Sequence, residues 1–301
     1  MAQKPAEDAL DALDRAQEVF WEACEARSVK QRLALAEKAI AISPLCADAL
    51  VMLAEHAERG SDTSLALWQR AVDAGREALG DEFEELRGEF WGFLETRPYM
   101  RARFGLAWSL WDRGEAQAAL THLQEMLELN PNDNQGVRYI LASWLLEAGR
   151  DDELHELLKR YPDDGAASWS WTTALAAFRR EGDTPAARRL LLMAFKENKH
   201  IPAYLCGERA VPKSLPPFMS MGGEDEAVHY VSESAKGWSN TEGAIDWLRA
   251  NLPASASSGR AAKPASKPKS APKAKSGAKA KPKTPAGRKT KAAGKADSGA
   301  L

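Results

Sequence analysis

Long hydrophobic runs are missing from this 301-residue chain, and no apolar stretch approaches the ~18 residues that a membrane-spanning helix needs. The N-terminal stretch MAQKPAEDALDALDR is acidic and amphipathic, which does not fit a signal peptide. We therefore expect a cytoplasmic protein without a membrane segment. The chain still contains 44% hydrophobic residues and ten tryptophans, which is enough apolar material for a substantial core.

Cysteine is scarce, and its arrangement argues against covalent or metal cross-links. The chain has three cysteines, Cys24, Cys46 and Cys206, an odd number at wide spacing. This pattern favours reduced thiols packed as small apolar side chains over a disulfide framework or a zinc site.

Sequence motifs for catalysis are missing as well. The chain has no GxxxxGK[ST] phosphate loop, no GxSxG elbow, no HExxH pair and no CxxC. Acid pairs such as Asp151 with Asp152 stand where helices are expected to begin, and the helix dipole stabilises carboxylates there. The five histidines have no metal-ligand spacing. We expect no enzyme, no catalytic residues, no cofactor and no metal, although a helical scaffold can assemble a site from residues distant in sequence.

What the sequence does contain is a helical hairpin of about 34 residues, most clearly in residues 101–131. Gly114 separates two segments with apolar residues at helical spacing, and Pro131 follows the second segment. Small residues at Ala107 and Ala119 let two antiparallel helices pack closely, and a glycine readily adopts the positive φ of a helix end. This pattern is typical of a tetratricopeptide repeat.

The hairpin recurs along the chain. Gly149 and Gly182 follow at intervals of 35 and 33 residues, with apolar residues at matching offsets. Pro162 comes early after Gly149, so the second helix of that unit should be about a turn shorter. A similar pattern precedes Gly60, and the excess length before the central unit predicts an inserted helix over 81–95.

The C-terminal part changes character twice. Four prolines make a continuous helix improbable between 200 and 223, and two short helices are predicted after them. We predict three parts: a helical repeat array over 1–199, a proline-rich junction with capping helices over 200–253, and a disordered Lys/Ala/Pro-rich tail over 254–301. The fold class is all-α, a tetratricopeptide-like helical-hairpin solenoid with C-terminal capping helices and a disordered basic tail.

Several segments resemble a known family in the same order over about residues 15–250. They are KAIAISPLCADALVMLAEHAERG, RPYMRARFGLAWSLWDRGEAQAALTHL, ENKHIPAYLCGERAVP and GGEDEAVHYV. The family is the bacterial relatives of the suppressor of tumorigenicity seven proteins, and HIPAYL with the following prolines and EDEA is the most specific part. The resemblance implies a tetratricopeptide-like helical protein without a known catalytic activity. The N-terminal membrane segments of the animal members have no counterpart here, so membrane residence is not carried over.

A partner surface is expected on the first helix of each hairpin, which lines the concave side of such an array. Aromatic and arginine side chains are the usual anchors of interfaces. The alternative is that several of the aromatic residues are packing residues. The candidate residues for binding an unidentified protein or peptide are Arg101, Phe104, Trp108, Trp111, Tyr139, Trp169 and Arg179.

Charge supports a second hypothesis. Residues 254–301 contain 13 Lys plus Arg and one acid, a net charge of +12, whereas the rest of the chain carries −14. Such a tail suits non-specific binding to nucleic acid by phosphate neutralisation, or it folds back on the acidic body, or it only solubilises the chain. The candidate polyanion-binding residues are Lys263, Lys267, Lys269, Lys273, Lys275, Lys279, Lys281, Lys283, Arg288, Lys289, Lys291 and Lys295.

Overall fold

The computed structural model describes residues 6–252, which form fourteen α-helices and one 3₁₀ turn and contain no strand. The predicted tail, with its twelve candidate polyanion-binding residues, lies outside the described residues. The helices are α1 (Glu7–Glu25), α2 (Val29–Ile42), α3 (Ala47–His56), α4 (Asp62–Leu79), α5 (Glu82–Glu85), α6 (Arg97–Asp112), α7 (Ala116–Leu129), α8 (Val137–Glu147), α9 (Asp151–Arg160), α10 (Ala167–Glu181), α11 (Pro185–Glu197), α12 (Ile201–Leu205), α13 (Glu224–Ser239) and α14 (Ala244–Asn251).

Five consecutive helix pairs pack as hairpins: α1 with α2, α3 with α4, α6 with α7, α8 with α9, and α10 with α11. Successive hairpins are joined by contacts of α2 with α3, α4 with α6, α7 with α8, and α9 with α10. The all-α, tetratricopeptide-like fold predicted from the sequence is therefore confirmed.

The turn glycines have the conformation that the repeat pattern requires. Gly114, Gly149 and Gly182 have φ values of 80°, 69° and 71°. The backbone of a residue with a side chain would be strained at these angles. Each of the three follows or closes the end of a hairpin's first helix. The second helix of the α8–α9 hairpin has 10 residues, against 14 in α7, as the early Pro162 predicts.

Alanine makes the close helix contacts, and larger side chains fill the space beside them. Ala107 and Ala119 are both fully buried where α6 meets α7, next to Leu123. A similar small-residue interface joins α1 to α2, where Ala16 and Ala39 are fully buried in a separate cluster. These contacts explain why alanine recurs at fixed offsets in the sequence.

The prediction of one inserted helix over 81–95 is wrong. The segment forms the single turn α5 and a 3₁₀ turn at Phe90–Gly92, because Gly88 lies between them at φ 94° and donates its N–H to the Leu129 carbonyl at 3.1 Å. Phe83 and Phe90 nevertheless face the core, with their ring centroids 5.0 Å apart in an edge-to-face arrangement. The helical spacing of these aromatic residues reflected burial and not a continuous helix.

The helices after residue 200 pack onto the array. Helix α13 contacts α8 and α10, the first helices of two hairpins, while α14 contacts α11. Trp238 and Trp247 of these helices face inward, at 0% and 5% exposure. The separate assignment of 1–199 and 200–253 stays a prediction.

Candidate partner-binding groove

Helix α6 presents a row of aromatic side chains at helical spacing. Pro98 stands in its first turn, where the missing N–H costs no hydrogen bond. Phe104, Trp108 and Trp111 follow at intervals of four and three residues, so they lie on one face of the helix. All three are half-buried, which leaves part of each ring accessible.

Trp144 of α8 holds this row in place. Its ring stacks on Trp111 with centroids 4.4 Å apart and an interplanar angle of 2°, and it meets Trp108 edge-to-face at 4.9 Å. Phe104 meets Trp108 edge-to-face at 6.4 Å. Such contacts restrict the rotamers of the accessible rings, so a ligand would bind aromatic surfaces that are already ordered.

Two adjoining cavities run along these rings. The larger, of about 590 Å³, lies between α6, α8 and α13, and the smaller, of about 370 Å³, lies between α3, α4 and α6. Both are lined by Arg59, Trp108 and Asp112, so we treat them as one surface, the aromatic groove.

An ion pair marks the junction of the two cavities. The Arg59 guanidinium pairs with the Asp112 carboxylate, with Nη2 and Oδ1 2.9 Å apart, and it lies 5.8 Å from the centre of the Trp108 ring. The hydrogen bond and the charge of Asp112 raise the pKa of Arg59, so this guanidinium stays protonated.

The floor of the smaller cavity depends on a glycine inside a helix. A Cβ atom built on Gly105 of α6 would lie 2.1 Å from the Trp68 ring of α4. Glycine in a helix interior is unfavourable by about 1 kcal/mol relative to alanine, so this position gives up helix stability to admit the indole ring. Both residues line the smaller cavity.

Helix α13 forms one wall of the larger cavity with Ser232, Glu233, Ala235 and Lys236. It docks on α8 through a buried hydrogen bond between the hydroxyls of Ser143 and Ser234, whose oxygens are 2.7 Å apart.

Two further contacts fix the position of α13 on α8. Gly237 fits so closely that a Cβ atom there would lie 2.9 Å from Cβ of Leu146. Lys236 pairs with Glu147 of α8 at 2.8 Å. The larger cavity therefore has a wall that comes from far along the sequence.

Arg101, Phe104, Trp108 and Trp111 are the sequence-predicted residues that the structure places along α6. Phe104 and Trp108 line the smaller cavity, and Trp108 and Trp111 line the larger one. Arg101 lines the smaller cavity too, but its guanidinium pairs with the buried carboxylate of Asp48 at 2.7 Å.

Tyr139 does not line the groove. Its hydroxyl donates to the carboxylate of Asp164 at 2.9 Å and accepts from Arg138 at 2.7 Å. Arg138 also pairs with Asp133 at 2.8 Å, so the four side chains join the α7–α8 loop to the α9–α10 loop. Burial and the neighbouring Asp164 raise the pKa of Tyr139 to about 12, which keeps its hydroxyl protonated.

Trp169 and Arg179 also make internal contacts away from the groove. Trp169 is 4% exposed and donates its indole N–H to the Tyr161 carbonyl at 2.9 Å. Arg179 pairs with Asp151 at 2.7 Å and donates to Thr241 Oγ1 at 3.0 Å. Arg179 therefore connects α10 with α9 and with the α13–α14 turn.

The sequence pattern did not identify several residues of the groove. Trp144 and Trp68 lie on faces that look like ordinary core, and Arg59 stands in a polar turn next to Gly60. The contribution of α13 carries no local signal, because Ser143 and Ser234 are 91 residues apart. The one available hint was Gly105, a glycine inside a strong helical pattern, which indicates a close approach by a neighbouring group.

The part of the chain that the structure describes contains no candidate metal site and no membrane-length helix. Within residues 6–252, no group of three or more His, Cys, Asp or Glu side chains is arranged to hold a metal ion. Cys24, Cys46 and Cys206 are all free thiols, and burial raises the pKa of Cys46 to about 11. None of the helices in 6–252 has the length and apolarity to cross a membrane.

The fold and the groove define a tetratricopeptide-like helical-repeat protein. A family model described as a tetratricopeptide repeat matches residues 110–178, which run from the end of α6 into α10. Neither a curated protein nor a solved structure matches the chain. Proteins with such repeats generally mediate contacts between proteins, and this repeat fold is typically a non-catalytic scaffold.

Proposed function

We propose that this protein is a non-catalytic scaffold that binds a segment of a partner protein in the aromatic groove. The observation that carries the proposal is the half-buried pair Trp108 and Trp111, which borders a cavity of about 590 Å³. Ordered aromatic side chains on a concave surface are typical anchors for a protein ligand. The tetratricopeptide match supports protein binding as the general role.

The sequence-predicted binding set contributes unequally to this proposal. Phe104, Trp108 and Trp111 support it directly, because they line the groove. Tyr139 and Trp169 have less support as binding residues, because their polar groups make hydrogen bonds within the fold.

Substitution of Trp108 by alanine tests the proposal. Affinity purification with the Trp108→Ala chain should recover at least tenfold less of a specific partner than the wild-type chain, because truncating an interface hot spot costs about 2–4 kcal/mol. Trp21→Ala is the matched control, since Trp21 is 59% exposed on α1. Melting temperatures of both variants should be measured in parallel.

Equal recovery of every specific partner by the wild-type and Trp108→Ala chains would refute the groove as the binding surface. If Trp108→Ala unfolds, Arg59→Ala, which removes an exposed groove side chain, gives the same test with less effect on packing.

A second candidate function rests on the +12 charge of residues 254–301. In this alternative the basic segment tethers the scaffold to DNA or RNA through phosphate contacts. An electrophoretic mobility shift should show tighter binding by the full chain than by residues 1–253, and a decrease with salt. Equal affinity would remove this alternative.

Origin and location remain proposals as well. The resemblance to bacterial relatives of the suppressor of tumorigenicity seven proteins rests on the sequence segments named above, and we place the protein in the cytoplasm.

A further inference from the structure

The aromatic groove already holds one cation of its own chain. The Arg59 guanidinium lies over the Trp108 ring and pairs with the Asp112 carboxylate. A tryptophan face beside a carboxylate favours a basic side chain through cation–π attraction and a charge-assisted hydrogen bond. The chemistry of the groove walls therefore suits cations.

Most other charges along the groove are neutralised within the fold. Lys236 pairs with Glu147 at 2.8 Å, and Arg101 pairs with Asp48 at 2.7 Å. These pairs leave little free positive charge to repel a basic ligand.

Two carboxylates on the groove form no salt bridge within residues 6–252. Glu233 of α13 lines the larger cavity, and Glu55 of α3 lines the smaller one. The unpaired charge is thus negative in both cavities, and the junction at Trp108 lies between them.

The surroundings of Glu233 provide a further reason to expect a cation. Neighbouring atoms remove part of the water from this carboxylate, which stays exposed on the groove, and this partial burial raises the pKa of Glu233, although the charge of His229, four residues earlier on α13, opposes the change. A carboxylate that has lost water gains more from a bound cation than a fully hydrated one does.

We infer that the partner segment is basic and places an Arg or Lys side chain against Glu233 beside Trp111. A second basic side chain pairs with Glu55, and an apolar side chain between the two covers Phe104 and Trp108. This inference rests on the proposed function, because it names the class of segment that the aromatic groove binds.

Selection from a random library tests the charge of the occupant. Phage-displayed 12-residue peptides are selected on the full chain and counter-selected on its Trp108→Ala variant. Both proteins share the basic C-terminal segment and every surface outside the groove, so counter-selection removes peptides bound there. The remaining peptides should contain Lys or Arg together with an apolar residue.

Affinities of the selected peptides then test the role of Glu233. Fluorescence anisotropy should show a Kd at least tenfold weaker for Glu233→Lys and several-fold weaker for Glu233→Gln, because a partly desolvated pair loses its anion. Glu37→Lys on α2 is the matched control, since it changes net charge equally on an exposed site, and its Kd should change less than twofold. Binding should also weaken as salt rises.

The experiments distinguish failure of the inferred basic partner from failure of the aromatic groove as a binding site. Peptides that need Trp108 but lack Lys and Arg, or that bind Glu233→Gln as tightly as wild type, overturn the inferred basic partner and leave the groove intact. If no selected peptide distinguishes wild type from Trp108→Ala, the aromatic groove itself is refuted.

Discussion

The side chain of His122 on α7 should make the stability of this protein depend on pH. Burial and the nearby charge of Arg103 lower the pKa of His122 from 6.5 to about 4. Its buried Nδ1 has no hydrogen-bond partner within residues 6–252. The folded state therefore disfavours the charged imidazolium.

Proton linkage determines whether acid stabilises or destabilises the folded state. Between pH 6.5 and 4 the unfolded chain binds a proton at His122 and the folded chain does not, so acid favours unfolding. At pH 5 the full shift corresponds to about 2 kcal/mol lost relative to pH 8, and partial exposure of the ring reduces this to about 1–2 kcal/mol. For a domain of this size the melting temperature should fall by roughly 2–8 °C from this residue alone.

Comparison of His122→Gln with wild type isolates the effect from that of other groups. Thermal unfolding followed by circular dichroism at pH 8, 6 and 5 should show that wild type loses more stability on acidification than His122→Gln. His56→Gln on α3 is the matched control and should keep the wild-type slope. Equal slopes for wild type and His122→Gln would refute the reasoning.

Two further substitutions test the close contacts that shape the groove. Gly237→Val should lower the free energy of unfolding by about 1–3 kcal/mol, because its Cβ must displace Leu146. The control Ala235→Val, on the exposed side of α13, should change this free energy little. Equal effects of the two substitutions in chemical denaturation would contradict the docking of α13 on α8. Gly105→Ala should destabilise the wild-type chain by about 1–3 kcal/mol but should not destabilise the Trp68→Ala chain, because the steric clash needs the indole ring. A double-mutant cycle that shows no coupling energy between these two positions would contradict the contact.

Local patterns were enough to predict most helices. Ser28 separates α1 from α2, and its hydroxyl accepts a hydrogen bond from the Gln31 N–H at 3.2 Å. The turn glycines adopt positive φ, a conformation that costs glycine less than a residue with a side chain. These features depend on a few neighbouring residues, so the sequence alone contains the required information.

Features set by tertiary contacts were predicted less well. Thr241 precedes α14 but does not cap it, and its hydroxyl accepts a hydrogen bond from Arg179. The inserted segment breaks at Gly88 because a distant carbonyl, Leu129, accepts its N–H. In each case the deciding contact comes from another part of the chain.

Only part of the candidate site could be predicted from the sequence, because the rest depends on tertiary contacts. Spacing on one helix placed Phe104, Trp108 and Trp111 on a common face, and the structure keeps them together. Grouping them with Trp169 and Arg179 assumed that the first helices of all hairpins remain accessible. That assumption omitted α13, whose position depends on residues about 90 apart in sequence.

Helix α13 also limits where a partner can bind along the array. It covers α8 and α10 with Trp238, which is fully buried and donates to the Tyr230 hydroxyl at 2.8 Å, and with Val231 at 2% exposure. Exposing Trp238, Tyr230 and Val231 would cost about 1.5–3 kcal/mol each, and displacing α13 would also break the buried hydrogen bond between Ser143 and Ser234. A partner that displaced α13 would lose most of the binding free energy of a micromolar complex. Binding in the groove that α3, α6, α8 and the outer side of α13 enclose avoids this cost, which is why we place the partner there and not along the whole row of first helices.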